Sequence, residues 1–365
     1  MTSRQRVLRI LDRTADGQVA YDALGGEAVG DVIGSLGLSE DWTRYFGAGD
    51  IRYVGLEPAR GERELFAPYV SGLPAEAFLS CWGIGRIALT SANGHHAGHK
   101  YWHPLAGVNT VAELDRYPFP DLSRVNTLSE LIRQVTALQQ QGFAVVGQMS
   151  QTILETAYLM RGLAQLMVDL YERPAYIDRL FGRLAEQRMM QAALFARAGV
   201  DAIRIGDDIA TQEALMMSPR MYRERLKPYH AAVISTARQI APDLPIEYHS
   251  DGSLTDLLPE LIEIGVNAIN PVQPECMDLL DIKREFGMHL TLWGCTPVQS
   301  VYAHGTAEQV REHTRFLFEK VAADHGVIIQ FMNIVLTPLV LDNLAAFFDE
   351  FVRLSGARPL LAEPE

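Results

Sequence analysis

Residues 245–287 contain one pattern twice, in which a short apolar run is followed by polar residues and then by an amphipathic helix. The apolar runs, 245–248 and 266–269, are typical of buried strands. Between them, leucine and isoleucine recur at spacings of three and four until Gly265, as expected of a helix and its end. Strands that alternate with helices in this way run parallel and are joined by crossover helices. The segment therefore predicts a parallel α/β sheet.

Polar residues follow each of these two strands. His249 and Asp251 come directly after the first, and Gln273 comes shortly after the second. In parallel sheets and barrels, ligands bind just beyond the carboxyl ends of the strands. We therefore predict that His249 and Asp251 are catalytic, and that Gln273 and the adjacent Tyr248 contact a substrate. The structural alternative is that His249 and Asp251 cap the helix over 253–264.

The same alternation of strands and helices continues along the chain. Further strands are predicted over 18–23, 143–149, 201–208, 289–295 and 326–333, and a long helix over 174–198. These make seven strands, one fewer than a barrel requires, so one strand is missing or disguised. A chain of 365 residues is an ordinary size for one (β/α)8 TIM barrel. We predict a single barrel domain over 1–365, with 27–125 as an irregular elaboration that holds a small antiparallel sheet.

Composition limits the partners. A net charge of -13 argues against binding to nucleic acid or to an anionic membrane surface, both of which need clustered lysine and arginine. The three cysteines have no CxxC spacing, and no stretch resembles a signal peptide or a membrane span. These features predict a cytoplasmic protein that acts on a small molecule. Bulky helical faces make a homodimer plausible.

Other strand ends supply further candidates. Asp207 and Asp208 end the strand over 201–208, and a carboxylate desolvated near His249 could transfer protons. Glu155 lies one helical turn after Gln151 and could reach the barrel mouth. Three more residues near the ends of later strands are predicted to contact substrate. They are Trp293, Met332 and Asn333.

The sequence leaves open whether the protein binds a metal ion. His249 and Asp251 could hold zinc or another divalent ion if Cys295, or else Glu155 or Asp207, completed the ligand set. A lone cysteine is more commonly a small buried apolar residue. Four histidines also cluster in one segment, where a flexible lid or a subunit contact is favoured over a metal site. They are His95, His96, His99 and His103.

Several segments together resemble a known superfamily. They read AIRIGDDIATQ, KPYH, HSDG, IEIGVNAINPVQPE and DIKREFG. The chain is similar in these segments to the uroporphyrinogen decarboxylase superfamily, which also contains the methyltransferases that move methyl groups from methylcobalamin to coenzyme M. The resemblance implies a (β/α)8 barrel with its pocket at the carboxyl end. It leaves the reaction open, because one fold hosts many chemistries.

The chain departs from the motifs of both subgroups. The similar methyltransferases bind zinc through a His-x-Cys pair and a later cysteine, whereas this chain has Asp251 two residues after His249 and no cysteine near Met332 and Asn333. Carboxylates in place of thiolates predict weaker metal binding. The decarboxylase holds its substrate with an arginine-rich N-terminal segment, but residues 23–31 read ALGGEAVGD. Uroporphyrinogen, with its eight carboxylates, therefore fits poorly.

Three functions remain in competition. The first is methyl transfer between a corrinoid, as methylcobalamin or on a partner corrinoid protein, and a small molecule at the carboxyl end of the barrel. The second is metal-free decarboxylation, a lyase reaction, or another proton transfer on a small carboxylated substrate. The third is non-catalytic binding on a barrel that has lost its chemistry.

Overall fold

The structure is a computed structural model of the chain, and it describes residues 1–15, 17–22, 49–56, 60–90, 96–122, 128–331 and 337–356. Eleven strands lie within these ranges. They are β1 (Val19–Asp22), β2 (Ile51–Val54), β3 (Phe78–Leu79), β4 (Gly85–Thr90), β5 (His96–Trp102), β6 (Ala144–Ser150), β7 (Ala202–Gly206), β8 (Ile246–His249), β9 (Ala268–Asn270), β10 (Thr291–Gly294) and β11 (Val327–Gln330).

Eight of these strands form one parallel sheet in the order β1-β11-β10-β9-β8-β7-β6-β2. The two end strands come together where the Asp50 amide donates to the Tyr21 carbonyl at 2.7 Å. The predicted (β/α)8 TIM barrel is therefore confirmed. Its eighth strand is β2, a four-residue segment inside the region whose sequence is least regular. Arg52 and Tyr53 interrupt the apolar run there, which conceals the strand.

Helices surround the barrel. Those in the described residues are α1 (Ser3–Leu11), α2 (Arg63–Phe66), α3 (Val111–Asp115), α4 (Leu128–Gln140), α5 (Leu154–Arg161), α6 (Leu163–Glu172), α7 (Pro174–Ala198), α8 (Pro219–Arg225), α9 (Lys227–Arg238), α10 (Leu258–Glu263), α11 (Leu279–Phe286), α12 (Val301–His304), α13 (Ala307–Phe316) and α14 (Pro338–Ser355). In this described part of the chain, no helix combines the length and apolarity needed to cross a bilayer.

The amino end of the barrel is closed by α1. Thr2 caps this helix through a capping box, and the Thr291 hydroxyl donates to the Ile10 carbonyl at 3.1 Å. Small and branched side chains from the strands leave room for it. These include Ala20, Ile51, Ala144, Ala202, Ala268 and Ile328, which form one buried cluster with Val7, Ile10 and Leu11. The open end of the barrel is therefore the carboxyl end.

Successive side chains along each strand point alternately into the barrel and toward the surrounding helices. On β8, Glu247 and His249 face the barrel interior, whereas Tyr248 faces outward and its ring packs 5.5 Å from that of His230 on α9. The outward side chains join the main apolar core between sheet and helices. The inward side chains above the α1 cluster are mainly polar, which is unusual for a barrel interior filled with branched apolar residues.

The elaboration before β6 contains a three-stranded antiparallel sheet in the order β3-β4-β5. The histidine cluster falls on and beside β5. His99 lies in the strand and the His103 Nδ1 lies 2.7 Å from the Leu159 carbonyl oxygen. His95 lies outside the described residues. Among the residues that the structure describes, no group of three or more His, Cys, Asp or Glu is arranged to hold a metal ion.

Candidate active site at the carboxyl end of the barrel

A chain of hydrogen bonds leads from the barrel interior to His249. The His249 Nδ1 lies 2.8 Å from the Asn270 Oδ1, and the Asn270 Nδ2 donates to the Gln330 Oε1 at 2.8 Å. The Gln330 Nε2 donates to the Asp22 Oδ2 at 2.5 Å. Asn270, Gln330 and Asp22 are all buried, and the His249 side chain is 14% exposed. The four residues end four strands, β8, β9, β11 and β1.

The direction of these bonds fixes the tautomer of His249. The Asn270 amide nitrogen is used as a donor to Gln330, so its oxygen is the acceptor that faces the imidazole. The proton on that side therefore belongs to the His249 Nδ1. In the neutral imidazole the lone pair is therefore on the His249 Nε2, which lies 4.0 Å from the Asp208 Oδ1 at the mouth. In this form the ring can accept a proton from a bound molecule.

Inside the barrel, the chain of hydrogen bonds ends at the buried Asp22 carboxyl group, which accepts several hydrogen bonds. The Asp22 Oδ2 accepts hydrogen bonds from the Tyr53 hydroxyl at 2.5 Å and the Trp293 indole at 3.0 Å as well as from Gln330. Burial raises the pKa of the Asp22 carboxyl to about 7, against the opposing effect of the nearby Arg204 guanidinium. Beneath it, Arg204 pairs with Glu247 through two contacts of 2.7 Å. The interior is thus a connected polar network.

Asp208, which lies 4.0 Å from the His249 Nε2, is also close to Asp251 and Glu155. The Asp251 amide donates to the Asp208 Oδ1 at 3.0 Å, and the Gln151 Nε2 donates to the Glu155 Oε1 at 2.8 Å. Burial, followed by the charges of Asp208 and Asp207, raises the pKa of Glu155 to about 8. Glu155 is therefore mostly protonated at pH 7 and can donate a proton, while Asp208 supplies negative charge next to the imidazole.

Asp207 occupies a different position from its neighbour. It is fully buried and accepts hydrogen bonds from the Ile153 and Glu155 amides at 2.9–3.1 Å, which start α5, and its Oδ2 lies 2.8 Å from the His230 Nε2. Of the two adjacent carboxylates, Asp208 is therefore the one near His249 at the mouth. The local reason is that consecutive side chains at a strand end point in different directions.

We expect Asp207→Ala to lower the free energy of unfolding by about 1–3 kcal/mol, because buried amide donors at the start of α5 lose their acceptor. Chemical denaturation at pH 7 measures this. Asp208→Asn, at a side chain that is 37% exposed, is the matched control and should change stability by less than about 0.5 kcal/mol. Equal losses in both variants would contradict this assignment.

A cavity of about 210 Å³ opens over the ends of β7, β8, β9 and β10. Asp251 and Gln273 line it together with Thr211, Thr296 and Gln299. Both of these predicted site residues therefore lie where a small molecule could bind. The Asp251 amide also connects this cavity to Asp208, as described above.

Other predicted residues lie away from the mouth. Tyr248 is buried on the outer face of β8, and Trp293 is buried inside the barrel, where its indole holds Asp22. Cys295 is fully buried in the apolar core, where burial raises the pKa of its thiol. The structure therefore does not assemble His249, Asp251 and Cys295 into a ligand set. Met332 and Asn333 lie outside the described residues.

Three residues of the site were not identified from the sequence as site residues: Asp22, Asn270 and Gln330. Each ends a strand, which is the signal that identified His249. Tyr158 was also missed. It lies on α5 within hydrogen-bonding distance of Glu155, and burial followed by the charge of Glu155 raises the pKa of its hydroxyl. Sequence spacing alone could not indicate which strand ends meet inside the barrel.

Comparisons with known proteins identify a family and a solved structure of similar fold. The family model described as uroporphyrinogen decarboxylase (URO-D) matches residues 101–353. A solved methyltransferase from Methanosarcina mazei superposes with a TM-score of 0.62 at 15% identity, covering 96% of this chain and 98% of its own. A glycosylated endo-β-1,4-xylanase from Gloeophyllum trabeum has a TM-score of 0.36 at 8% identity, over 62% of this chain and 81% of its own. No curated protein sequence matches. At 15% identity, the likeness to the methyltransferase from Methanosarcina mazei shows the fold alone.

Proposed function

This chain belongs to the uroporphyrinogen decarboxylase family, and from that premise we propose that it is a methyltransferase. It moves a methyl group between a carrier and a small neutral or cationic molecule at the carboxyl end of the barrel. The observation that carries this choice is the charge of the mouth. The carrier is a corrinoid, as methylcobalamin or on a corrinoid protein, by analogy with the similar methyltransferases.

The charge of the mouth disfavours a carboxylated substrate. Asp208 lies 4.0 Å from the His249 Nε2 and accepts a hydrogen bond from the Asp251 amide, with Asp207 buried behind it. Among the described residues, two arginines near the same strand ends form contacts elsewhere. Arg188 is buried and donates to the Thr152 and Gln151 carbonyls, and Arg204 pairs with Glu247. A substrate carboxylate would meet like charges here, whereas a neutral methyl ether or a methylated amine would not.

The Glu155 carboxyl and the His249 imidazole can supply and accept the proton that a methyl transfer requires. When the methyl group leaves an oxygen or nitrogen atom, the electron pair of the broken bond stays on that atom. Glu155, protonated at pH 7, supplies the proton that neutralises it. In the reverse direction the His249 Nε2 can accept the proton of an attacking hydroxyl, thiol or amine. Asp251 and Gln273 hold the small molecule in the adjoining cavity.

Zinc, which the resemblance implied, does not fit the described residues. Cys295 lies in the apolar core, and no three candidate ligands gather in the described part of the chain. We also propose that a corrinoid protein is the partner and that the chain forms a homodimer.

The test is an assay for loss of methylcobalamin absorbance with purified protein and a panel of thiols, alcohols and amines as acceptors. We expect turnover that His249→Gln and Asp251→Asn reduce. The same panel is run with carboxylated compounds while carbon dioxide is measured. Carbon dioxide release without any methyl transfer would overturn the proposal in favour of decarboxylation, the second candidate, for which a protonated Glu155 could donate to a carbanion.

Activity in the direction that needs the Glu155 proton is expected to fall as the pH rises through about 8, because the acid ionises there. The pH profile of kcat at pH 6–9.5 measures this, and Glu155→Gln should remove the basic limb. The same proton affects stability. The folded-state pKa lies above the ordinary 4.5, so this group's contribution to stability decreases as the pH rises from about 4.5 to about 8. A basic limb that persists in Glu155→Gln would assign it to another group.

A further inference from the structure

We propose that the cavity of about 210 Å³ at the mouth binds a short amino alcohol, with its protonated amine on Asp251 and its hydroxyl on Gln273. Within the proposed function this molecule is the substrate. The inference thus names the chemical class of that substrate, and to that extent it rests on the methyl-transfer proposal. Binding itself can be measured without any reaction.

The walls of this cavity are held in place by hydrogen bonds between loops. The Thr211 carbonyl accepts from the Ser253 amide at 2.8 Å, which joins the loops after β7 and β8. The Glu275 Oε1 accepts from the Gln299 amide at 3.0 Å, which joins the loops after β9 and β10. The side chains of Gln212 and Gln299 also hydrogen-bond to each other. The cavity is therefore preformed, as sites for small ligands usually are.

The size of the cavity limits the ligand to a few atoms. A sphere of 210 Å³ is about 7 Å across. An apolar cavity of roughly 150 Å³ is enough to hold benzene. A molecule whose two polar groups are separated by two carbon atoms therefore fits this space and can contact two walls at once.

The charge of the lining favours a cation that carries N–H groups. Asp251 is the only lining residue that can carry a charge, and among the described residues no lysine or arginine lines the cavity. A protonated amine donates a charge-assisted hydrogen bond to a carboxylate, which is stronger than a hydrogen bond between neutral groups. A quaternary ammonium ion is instead recognised by aromatic rings, and no described aromatic residue lines this cavity.

Gln273 supplies the second point of contact. It lines the cavity and is only 6% exposed, yet within the described part of the chain its side-chain amide has no hydrogen-bond partner. The amide is not one of the polar groups that are closed off inside the protein, so a ligand can reach it. Its backbone is fixed, because the Gln273 carbonyl accepts from the Cys276 and Met277 amides at 2.9 Å. Buried amides are normally hydrogen-bonded, and a ligand in the cavity can supply the partner.

A hydroxyl group is the simplest partner for this amide. The Gln273 side chain offers an acceptor oxygen and an NH2 donor, and a hydroxyl can donate to the first and accept from the second. A carboxylate could only accept, and it would share with Asp251 a cavity that has no cationic lining residue among those described. The lining therefore favours an amino alcohol over an amino acid of the same size.

The experiment is calorimetric titration of the full-length protein at pH 7 with 2-(methylamino)ethanol. The matched comparison is N-methylpropylamine, in which a methyl group replaces the hydroxyl. Sarcosine tests the effect of a carboxylate, and choline tests a quaternary ammonium ion. We expect 2-(methylamino)ethanol to bind at least tenfold more tightly than each of these three compounds.

Two variants assign the contacts. Gln273→Met removes the amide and keeps the length of the side chain, so it should weaken binding of 2-(methylamino)ethanol about tenfold and leave N-methylpropylamine unchanged. Asp251→Asn should weaken binding of both amines about tenfold. Gln141→Met, at an exposed amide after α4, is the matched control and should bind like the unmodified chain. Thermal unfolding verifies that each variant is folded.

Equal affinity of the unmodified chain for N-methylpropylamine, sarcosine or choline overturns the inference, and this comparison decides the matter if a variant does not fold. Absence of 2-(methylamino)ethanol binding at millimolar concentration, or equal binding by folded Gln273→Met and the unmodified chain, also overturns it. Binding with the expected pattern, but without methyl transfer to any compound of the panel, would keep this site and refute the proposed reaction. Methyl transfer without such binding would keep the reaction and refute the inference.

Discussion

An Arg204→Met variant is expected to lose about 3–5 kcal/mol of unfolding free energy, because it leaves a charged Glu247 unpaired inside the barrel. The two side chains are 4% and 0% exposed and share two contacts of 2.7 Å. The guanidinium also lies over the rings of Tyr53 and Trp293, so its loss removes two cation–π contacts. Urea unfolding at pH 7, followed by circular dichroism, measures the change.

Two controls separate burial from charge. Arg220→Met breaks the ion pair with Glu224 on the surface, where the side chains are 82% and 51% exposed, and should cost less than about 1 kcal/mol. The double variant Arg204→Met, Glu247→Leu removes both charges and should recover much of the loss. An Arg204→Met variant as stable as Arg220→Met would show that the buried network contributes little to holding the barrel together.

Replacing His249 by glutamine is expected to lower kcat by about 10²–10⁴, the usual contribution of a positioned acid or base. Its side chain lies at the mouth, so the free energy of unfolding should change far less than in Arg204→Met. Asn270→Leu should also lower kcat and shift the pH profile, since the imidazole loses the acceptor that fixes its Nδ1 proton. Steady-state kinetics across pH 6–9.5 measure both.

The matched control for the histidine is His289→Gln, an exposed residue before β10 at the opposite end of the barrel, which should retain full activity. In Asn270→Leu, a fall in kcat with an unaltered pH profile would mean that Asn270 supports the fold and not the imidazole. A His249→Gln variant with full activity would remove His249 from the mechanism.

The barrel could be predicted because its signal is local. Each strand–helix unit after residue 128 carries its own apolar run and amphipathic helix, and the long helix predicted over 174–198 is confirmed as α7 (Pro174–Ala198). The strand β2 could not be located in this way. It has four residues, and two of them, Arg52 and Tyr53, are polar or amphipathic. Its place in the sheet comes from pairing with β6, some ninety residues later, which no local pattern encodes.

Site residues could be predicted from the sequence only where their place after the end of a strand is enough to put them at the mouth. His249, Asp208, Asp251 and Gln273 follow strand ends, and the structure places them around the mouth. Whether a side chain near a strand end points inward, outward or beneath a helix depends on the pleat and on the start of the next helix. The outward Tyr248 and the capping Asp207 follow from that geometry, which a single sequence leaves open.

The pairing of β1 with β11 has a consequence for how the chain is made. Asp22 and Gln330 are 308 residues apart, yet they lie side by side in the finished barrel. At about 5–20 residues per second, a ribosome needs roughly 15–60 s to synthesise the stretch between them. During that time one edge of β1 has no neighbour, and the polar interior is open to water. The growing chain is therefore most exposed to aggregation before β11 emerges, and chaperone dependence should be greatest for chains that end just short of residue 327.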